Sequence, residues 1–282
     1  MGREENRLIF EDTERLCKTD DVLIQSTKSS IKTQKMIPEY EELETVNREK
    51  FKEKANLVVS KKRTFQAAKE YEGKTVVHNF ASASNPGGGV VTGAGAQEEC
   101  LCRCSNLYFC LNTKEMWENF YGPHRQHRNP LHNDDIIYTH DVTVFKSDTM
   151  IPELMNKEEW YQVDVITCAA PNLRSKPSNK YNSGDGDKSV SISDKDLLEL
   201  HKKRLRRMLD VIVLEGAENV ILGAFGCGAF MNKPEVVARA AKEVIVDYMY
   251  AFKNIEFAVY CGRDMNNYTV FERAFKSLKN KS

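Results

Sequence analysis

VDVITCAA, residues 163–170, contains only two polar residues, Asp164 and Thr167, among β-branched and small side chains. A strand with one wet face alternates apolar with polar residues, whereas a nearly continuous apolar run suits a strand covered on both faces. NVILGAF (219–225) and IEFAVYC (255–261) have the same texture. Helical patterns separate and follow these runs. Ser193 to about Glu215 opens with a Ser-x-x-Asp capping box (Ser193, Asp196), Lys233 to about Phe252 carries Pro234 in an early turn, and Asn266 to Leu278 forms a last helix. Doubly covered strands alternating with helices define an α/β domain of three layers.

The rhythm begins at Ala55, with ANLVVS (55–60) as a short strand, TFQAAKEY (64–71) as a short helix and KTVVHNFAS (74–82) as a strand ending in small residues. Residues 1 to about 50 are different in kind. They are highly charged, with Leu8, Ile9, Leu16, Val22, Leu23 and Ile24 at helical intervals and then TKSSIKTQK (27–35), which suits a few short helices or a partly extended cap. YGPHRQHRNPLHNDD (121–135) and NLRSKPSNKYNSGDGDKS (172–189) are rich in turn-forming residues and charge, and are expected to be loops, the second mobile.

The chain has 282 residues, 41% of them hydrophobic, enough for a full core in one domain with an appendage. Its 41 Lys and Arg balance 41 Asp and Glu, which argues against bulk electrostatic attraction to nucleic acid or anionic membrane. No apolar run approaches the roughly 18 residues of a membrane helix, and MGREENRLIFEDTERL lacks the uninterrupted apolar stretch of a signal peptide, so a cytoplasmic protein is expected. Eight cysteines are too few for a disulfide scaffold and suit reduced thiols used as small core residues.

Two segments could carry chemistry. In NFASASNPGGGVVTGAGAQEE (79–99), Gly87, Gly88 and Gly89 give up side-chain packing, as at a close backbone approach to a phosphate or ribose, or in an ordinary flexible turn. Gln97, Glu98 and Glu99 then open a helix. Adjacent acids on a helix point about 100° apart, so they cannot flank one bond like the carboxylates of a conventional glycosidase, which stand about 5 Å or more apart. One acid would handle protons and the other would position, or both would simply favour the positive end of the helix dipole. The second segment, residues 223–232 (GAFGCGAFMN), joins a buried strand to a helix and offers backbone N–H groups to a diphosphate, or is a plain tight turn. It matches neither G-x-x-x-x-G-K-[ST] nor G-x-G-x-x-G, which disfavours nucleotide hydrolysis and a standard dinucleotide fold.

NPGGG, seven intervening residues and QEE resemble the poly(ADP-ribose) glycohydrolase signature, and GAFGCGAFMNKP resembles the diphosphate loop of that family's microbial branch. VDVITCAAPNL and IIYTHDVTVF are similar to further segments, so the resemblance runs through the chain. It implies a macrodomain-like fold, a mixed, mostly parallel sheet between helices, with residues 55–282 as the catalytic domain and 1–54 as a helical extension packed on it. It further implies that Gly87, Gly88 and Gly89 approach the ribose and diphosphate, that Asn85 and Glu98 hold hydroxyls of the terminal ribose, and that Gln97 belongs to the substrate site. Glu99 would be the general acid and base. Gly226, Cys227, Gly228 and Ala229 would line the diphosphate, with Phe230 against the sugar. The chain departs from the family's Gly-Asn-Asp-Pro run at Met231-Asn232-Lys233-Pro234.

The implied activity is hydrolysis of ribose–ribose O-glycosidic bonds from chain ends, releasing ADP-ribose, by a monomer that needs no metal or other cofactor. Removal of single ADP-ribose units from a protein or nucleic acid, and plain ADP-ribose binding, are the alternatives. Intact Gln97-Glu98-Glu99 disfavours plain binding, which needs no acid.

Other signals are weaker. His124, His127, His132 and His140, and Cys100, Cys102 and Cys104, lack zinc spacing. On a helix Cys100 and Cys104 share a face, with Cys102 pointing away. Cys227 suits a small loop residue better than a reactive thiol, for want of a His partner. Lys202, Lys203, Arg204, Arg206 and Arg207 suggest a solvated helix face, and His78 a core histidine.

Overall fold

In the computed structural model, which describes residues 2–179 and 184–278, the chain runs α1 (Arg3–Thr19), α2 (Asp21–Thr33), β1 (Lys35–Ile37), β2 (Asn56–Ser60), α3 (Thr64–Ala68), β3 (Thr75–Ala81), α4 (Gln97–Cys104), α5 (Leu107–Leu111), α6 (Lys114–Met116), α7 (Gly122–His127), β4 (Ile136–Val144), β5 (Tyr161–Ala169), α8 (Asp194–Leu214), β6 (Asn219–Leu222), α9 (Pro234–Ile245), β7 (Asn254–Ala258) and α10 (Asn266–Phe275). The strands form a mixed sheet in the order β1-β4-β5-β3-β6-β7-β2. Pairing is parallel for β3–β6, β6–β7 and β7–β2, and antiparallel for β1–β4 and β4–β5. The three apolar runs fall on β5, β6 and β7, whose residues are buried almost without interruption. Since neighbouring side chains point to opposite faces, each of these strands is covered on both sides. Two compact units are distinguished, residues 1–39 with 79–190, and residues 40–78 with 191–282.

In the first unit, β5 tolerates a buried acid because Asp164 accepts from the Tyr138 hydroxyl (2.7 Å) and from the Asp141 amide (3.0 Å) at a bulge in β4. The Ser/Thr stretch near residue 30 is not an extended cap. Asp20 accepts from the amides of Val22 and Leu23 and so starts α2. Hydroxyls of α2 then reach β4, Ser26 to Thr143 (2.6 Å) and Ser30 to the Asp141 carbonyl (3.2 Å). Lys35–Ile37, expected within a helical extension, pair with β4 as an edge strand. Residues 121–135 are partly helical, because Pro123 fits the first turn of α7.

Residues 180–183 of the expected mobile loop lie outside the described residues. On either side of them, Asn172 donates to Asp185 (2.8 Å), which also accepts from Ser84 (2.6 Å). Burial alone would raise the Asp185 carboxyl, but His132, Ser84 and Asn172 hold it at about 2.

In the second unit, Ser193 caps α8 by accepting from the Asp196 amide (3.1 Å). The α9 helix stops at Ile245, short of the expected Phe252, and a tighter turn follows over Val246–Tyr248. The carbonyls of Tyr250 and Met249 accept instead from the amides of Phe51 and Ala55. Arg48 forms a two-pronged pair with Asp210, which also accepts from Tyr248 (2.6 Å). The basic cluster on α8 is not simply solvated. Arg204 is buried, Lys202 pairs with Glu199 and Glu243, and Arg206 pairs with Asp247. Phe257, Phe271 and Phe275 seat α10 on β7.

Candidate active site

In the first unit, the three residues that open α4 tie the helix to the end of β3 and to the glycine turn. Gln97 accepts from the Phe80 amide (2.9 Å). Glu98 accepts from the Ser82 amide (2.8 Å) and from Asn79 Nδ2 (3.3 Å), while Asn79 also donates to Thr167 (3.2 Å). Glu99 accepts from the Gly89 amide through Oε1 (2.8 Å). The divergence of adjacent helical side chains lets one turn of helix hold two stretches of backbone, residues 80–82 and Gly89.

Both acids are almost fully buried, Glu98 3% and Glu99 7% exposed. Burial, followed by the neighbouring charge of Glu99, pushes the Glu98 carboxyl well above the usual carboxylate range, against the pull of its amide donors. Glu99 Oε2 is buried and has no hydrogen-bond partner among the described residues. The pair therefore has divided work. Glu98 is engaged through both oxygens, while Glu99 is oriented by one oxygen only.

Among the triplet, Gly88 answers first to these acids. Gly88 has φ 59°, and a Cβ there would stand 2.5 Å from Glu99 Oε1 and 3.1 Å from Glu98 Oε2. Asn85 begins the turn, its carbonyl accepting from the Gly88 amide (2.9 Å) and its side chain donating to Ser84 (3.2 Å).

Sequence reasoning missed what braces the far side of this loop. A Cβ on Gly93 would overlap the Arg3 carbonyl at the start of α1. Asn6 donates to the Gly93 carbonyl (3.0 Å), and the buried Arg103 donates to that of Ala94 (2.6 Å). The signal was present as the first glycine after the triplet, but only its neighbour α1 explains it.

In the second unit, residues 226–232 form a closed loop between β6 and α9. The Met231 amide donates to the Gly228 carbonyl (3.1 Å) and the Asn232 amide to that of Gly226 (3.0 Å). The N–H groups of Gly228 and Ala229 have no intrachain acceptor among the described residues, and both residues are exposed. A Cβ on Gly228 would meet nothing within 4 Å. Phe230 is half-buried. Met231 adopts φ 59°, the left-handed conformation that a glycine would take without strain. Burial raises the Cys227 thiol far above its ordinary value, which removes it as a nucleophile at neutral pH.

Several of the other histidines and cysteines are held by hydrogen bonds or packing. His124 hydrogen-bonds the Phe120 carbonyl and Asn133 (both 2.8 Å), and His140 the Thr33 carbonyl (3.0 Å). Cys102 and Cys104 are buried and Cys100 is partly exposed, unlike the expected shared face of Cys100 and Cys104, because α4 is enclosed on nearly every side. Among the described residues no group of three or more His, Cys, Asp or Glu side chains could hold a metal ion, and no helix is long and apolar enough to cross a membrane.

The fold is shared with solved bacterial poly(ADP-ribose) glycohydrolases. The enzyme from Thermomonospora curvata superposes with a TM-score of 0.80 at 24% identity, over 96% of this chain and all of that one. The same enzyme bound to the inhibitor ADP-HPD gives 0.78 at 25% over the same shares. The enzyme from Deinococcus radiodurans in complex with ADP-ribose gives 0.73 at 27%, over 89% of this chain and 97% of that one. Residues 7–147, half of the 282, match the family described as microbial-type PARG, catalytic domain, and the chain belongs to that family. The matched stretch contains the glycine turn and both acids. No curated protein matches the sequence.

Proposed function

We propose that this chain is a poly(ADP-ribose) glycohydrolase that cleaves ribose–ribose O-glycosidic bonds from chain ends, releasing ADP-ribose, with Glu99 as general acid and base. The observation that carries the reading is Glu99 itself, fixed by the Gly89 amide through one oxygen while the other, buried, has no partner. In this scheme Glu99 protonates the leaving ribose oxygen as positive charge develops on the sugar, then as carboxylate takes a proton from the attacking water. Glu98, held by Ser82 and Asn79, positions a ribose hydroxyl together with Asn85. Gly87 to Gly89 bring backbone to the ribose, with Gln97, also assigned to the substrate site, bracing the end of β3 behind them. The exposed N–H groups of Gly228 and Ala229 receive the diphosphate, flanked by Gly226 and Cys227, and Phe230 packs on the sugar.

ADP-ribose as product accords with the Deinococcus enzyme, whose structure holds that molecule. A cytoplasmic location suits eight cysteines that are all free thiols. We retain residues 1–54 as an extension that supports the catalytic domain, in line with the contact of α1 with the loop at Gly93.

The test is incubation with poly(ADP-ribose) of defined length, wild type beside Glu99→Gln, with products separated by chain length. ADP-ribose accumulating from the start with the wild type alone is the expected result. Oligomers appearing first would replace end cleavage by internal cleavage, and intact polymer would refute the activity.

A further inference from the structure

The loop of residues 226–232 closes on one side chain. Asn232, 2% exposed, donates through Nδ2 to the carbonyls of Gly226 (3.1 Å) and Phe230 (3.3 Å), beside its backbone bond to Gly226. Its Oδ1 lies 2.9 Å from Nε2 of His201, a buried residue on α8. An amide oxygen can only accept, so His201 carries its proton on Nε2 and donates. This bond sets the direction of the asparagine amide. Turned over, Asn232 would aim oxygen at the Gly226 and Phe230 carbonyls and lose both closures, in a loop that already holds Met231 at φ 59°.

We propose that His201 is a positioning residue for the diphosphate loop. Its Nε2–H fixes the Asn232 amide, and the amide holds residues 226–230 so that the N–H groups of Gly228 and Ala229 face one anion. The inference rests on the proposed function, since it takes the loop's ligand to be the diphosphate of ADP-ribose. The ring needs little else around it to act. It meets the Phe225 ring edge-on at 5.8 Å and lines a small apolar cavity with Leu205 and Met208. Burial, chiefly, lowers its pKa to about 4, so the neutral donor form is the one present at neutral pH.

The role makes a specific demand on substitutions. Glutamine places an amide N–H near the position of Nε2 and keeps the bond, whereas leucine fills similar space without a donor. In calorimetry His201→Leu is expected to bind ADP-ribose at least tenfold more weakly than wild type, and ADP, which has the diphosphate but no terminal ribose, more weakly by the same factor. His201→Gln is expected within about threefold of wild type for both. With polymer, KM rises for His201→Leu while kcat at saturation stays within about threefold, because the acid chemistry is assigned to Glu99 on α4. Asn232→Asp, which keeps the acceptor for His201 but turns the donor toward Gly226 into an oxygen, is expected to reproduce the loss and serves if His201→Leu does not fold. Wild-type affinity in Asn232→Asp or in a folded His201→Leu, equal losses in His201→Leu and His201→Gln, or a fall in kcat with affinity retained would each overturn the proposal. A wild-type protein that binds neither ADP-ribose nor ADP would overturn the functional reading beneath it instead.

Discussion

The two glycine-rich loops use glycine for opposite reasons. At Gly88 a side chain would strike the protein's own acids, while at Gly228 it would strike nothing at all. The first glycine is required by the fold, because it lets the turn lie against Glu98 and Glu99. The second is not, and a bare, exposed backbone that the fold does not demand is the better sign of a ligand. The braces differ as well. Carboxylates of α4 hold the first loop, and a neutral histidine–asparagine pair holds the second.

The largest expected effect tests whether the acid that holds the first loop does the chemistry. Removing a positioned general acid and base costs roughly 10²–10⁴ in rate. Glu99→Gln should lower kcat on poly(ADP-ribose) about a thousandfold, with ADP-ribose affinity measured by calorimetry within a few-fold of wild type. Turnover at the wild-type rate would remove Glu99 from the mechanism and dissolve the division of labour between the loops.

The braces should also separate by pH, with opposite signs. His201 titrates near 6.5 when unfolded and at about 4 when folded, so the stability it contributes is complete above pH 6.5 and is lost as pH falls through 4. The difference corresponds to about 3 kcal/mol. His78, lowered to about 3 by burial and then by His201, acts in the same direction. Glu98, raised in the fold, contributes stability that is complete below about pH 4.5 and is lost as pH rises through its folded value. In urea unfolding as a function of pH, His201→Gln should flatten the acid limb between 4 and 6.5, and Glu98→Gln the decline on the alkaline side. Identical profiles for either variant and wild type would mean that the corresponding brace does not titrate with folding.

A smaller effect is expected from the first glycine. Gly88→Ala places a methyl group against Glu99 at a left-handed backbone position, which costs about 2 kcal/mol. Thermal unfolding should move down by roughly 5 °C, and activity should fall because Glu99 is displaced. An unchanged melting temperature would show that the turn can relax and that its glycine is not required by the fold.

What could be read in advance follows the range over which each feature is determined. Doubly covered strands announce themselves through local composition, so VDVITCAA, NVILGAF and IEFAVYC located β5, β6 and β7. The caps at Ser193 and Pro234 located the starts of α8 and α9 for the same reason. Helix α2 and strand β1 were harder, because TKSSIKTQK has little helical periodicity and its Ser and Thr hydroxyls gain their meaning from β4, more than a hundred residues away. In the site, residue type pointed to Glu98 and Glu99, but which acid is held by both oxygens depends on amides of Ser82 and Gly89 that no spacing reveals. Arg3, Asn6 and His201 were invisible for the same reason. Each acts through a backbone atom or an amide far along the chain.

The last prediction separates a loop shaped for itself from one shaped for a ligand. Gly228 has no left-handed torsion to preserve and open space where a side chain would begin, so Gly228→Val should fold normally, with its melting temperature within a degree or so of wild type, since surface substitutions away from special features change stability by about 0.5 kcal/mol or less. If the N–H groups of Gly228 and Ala229 receive a diphosphate, the branched side chain stands in the anion's place. ADP-ribose affinity should then fall about tenfold, which is about 1.4 kcal/mol. Stability lost together with affinity would make the two glycines alike and cancel the comparison. Affinity kept in a stable variant would leave the first loop as the only one with a demonstrated reason for its sequence, and would send the search for the diphosphate to other backbone amides.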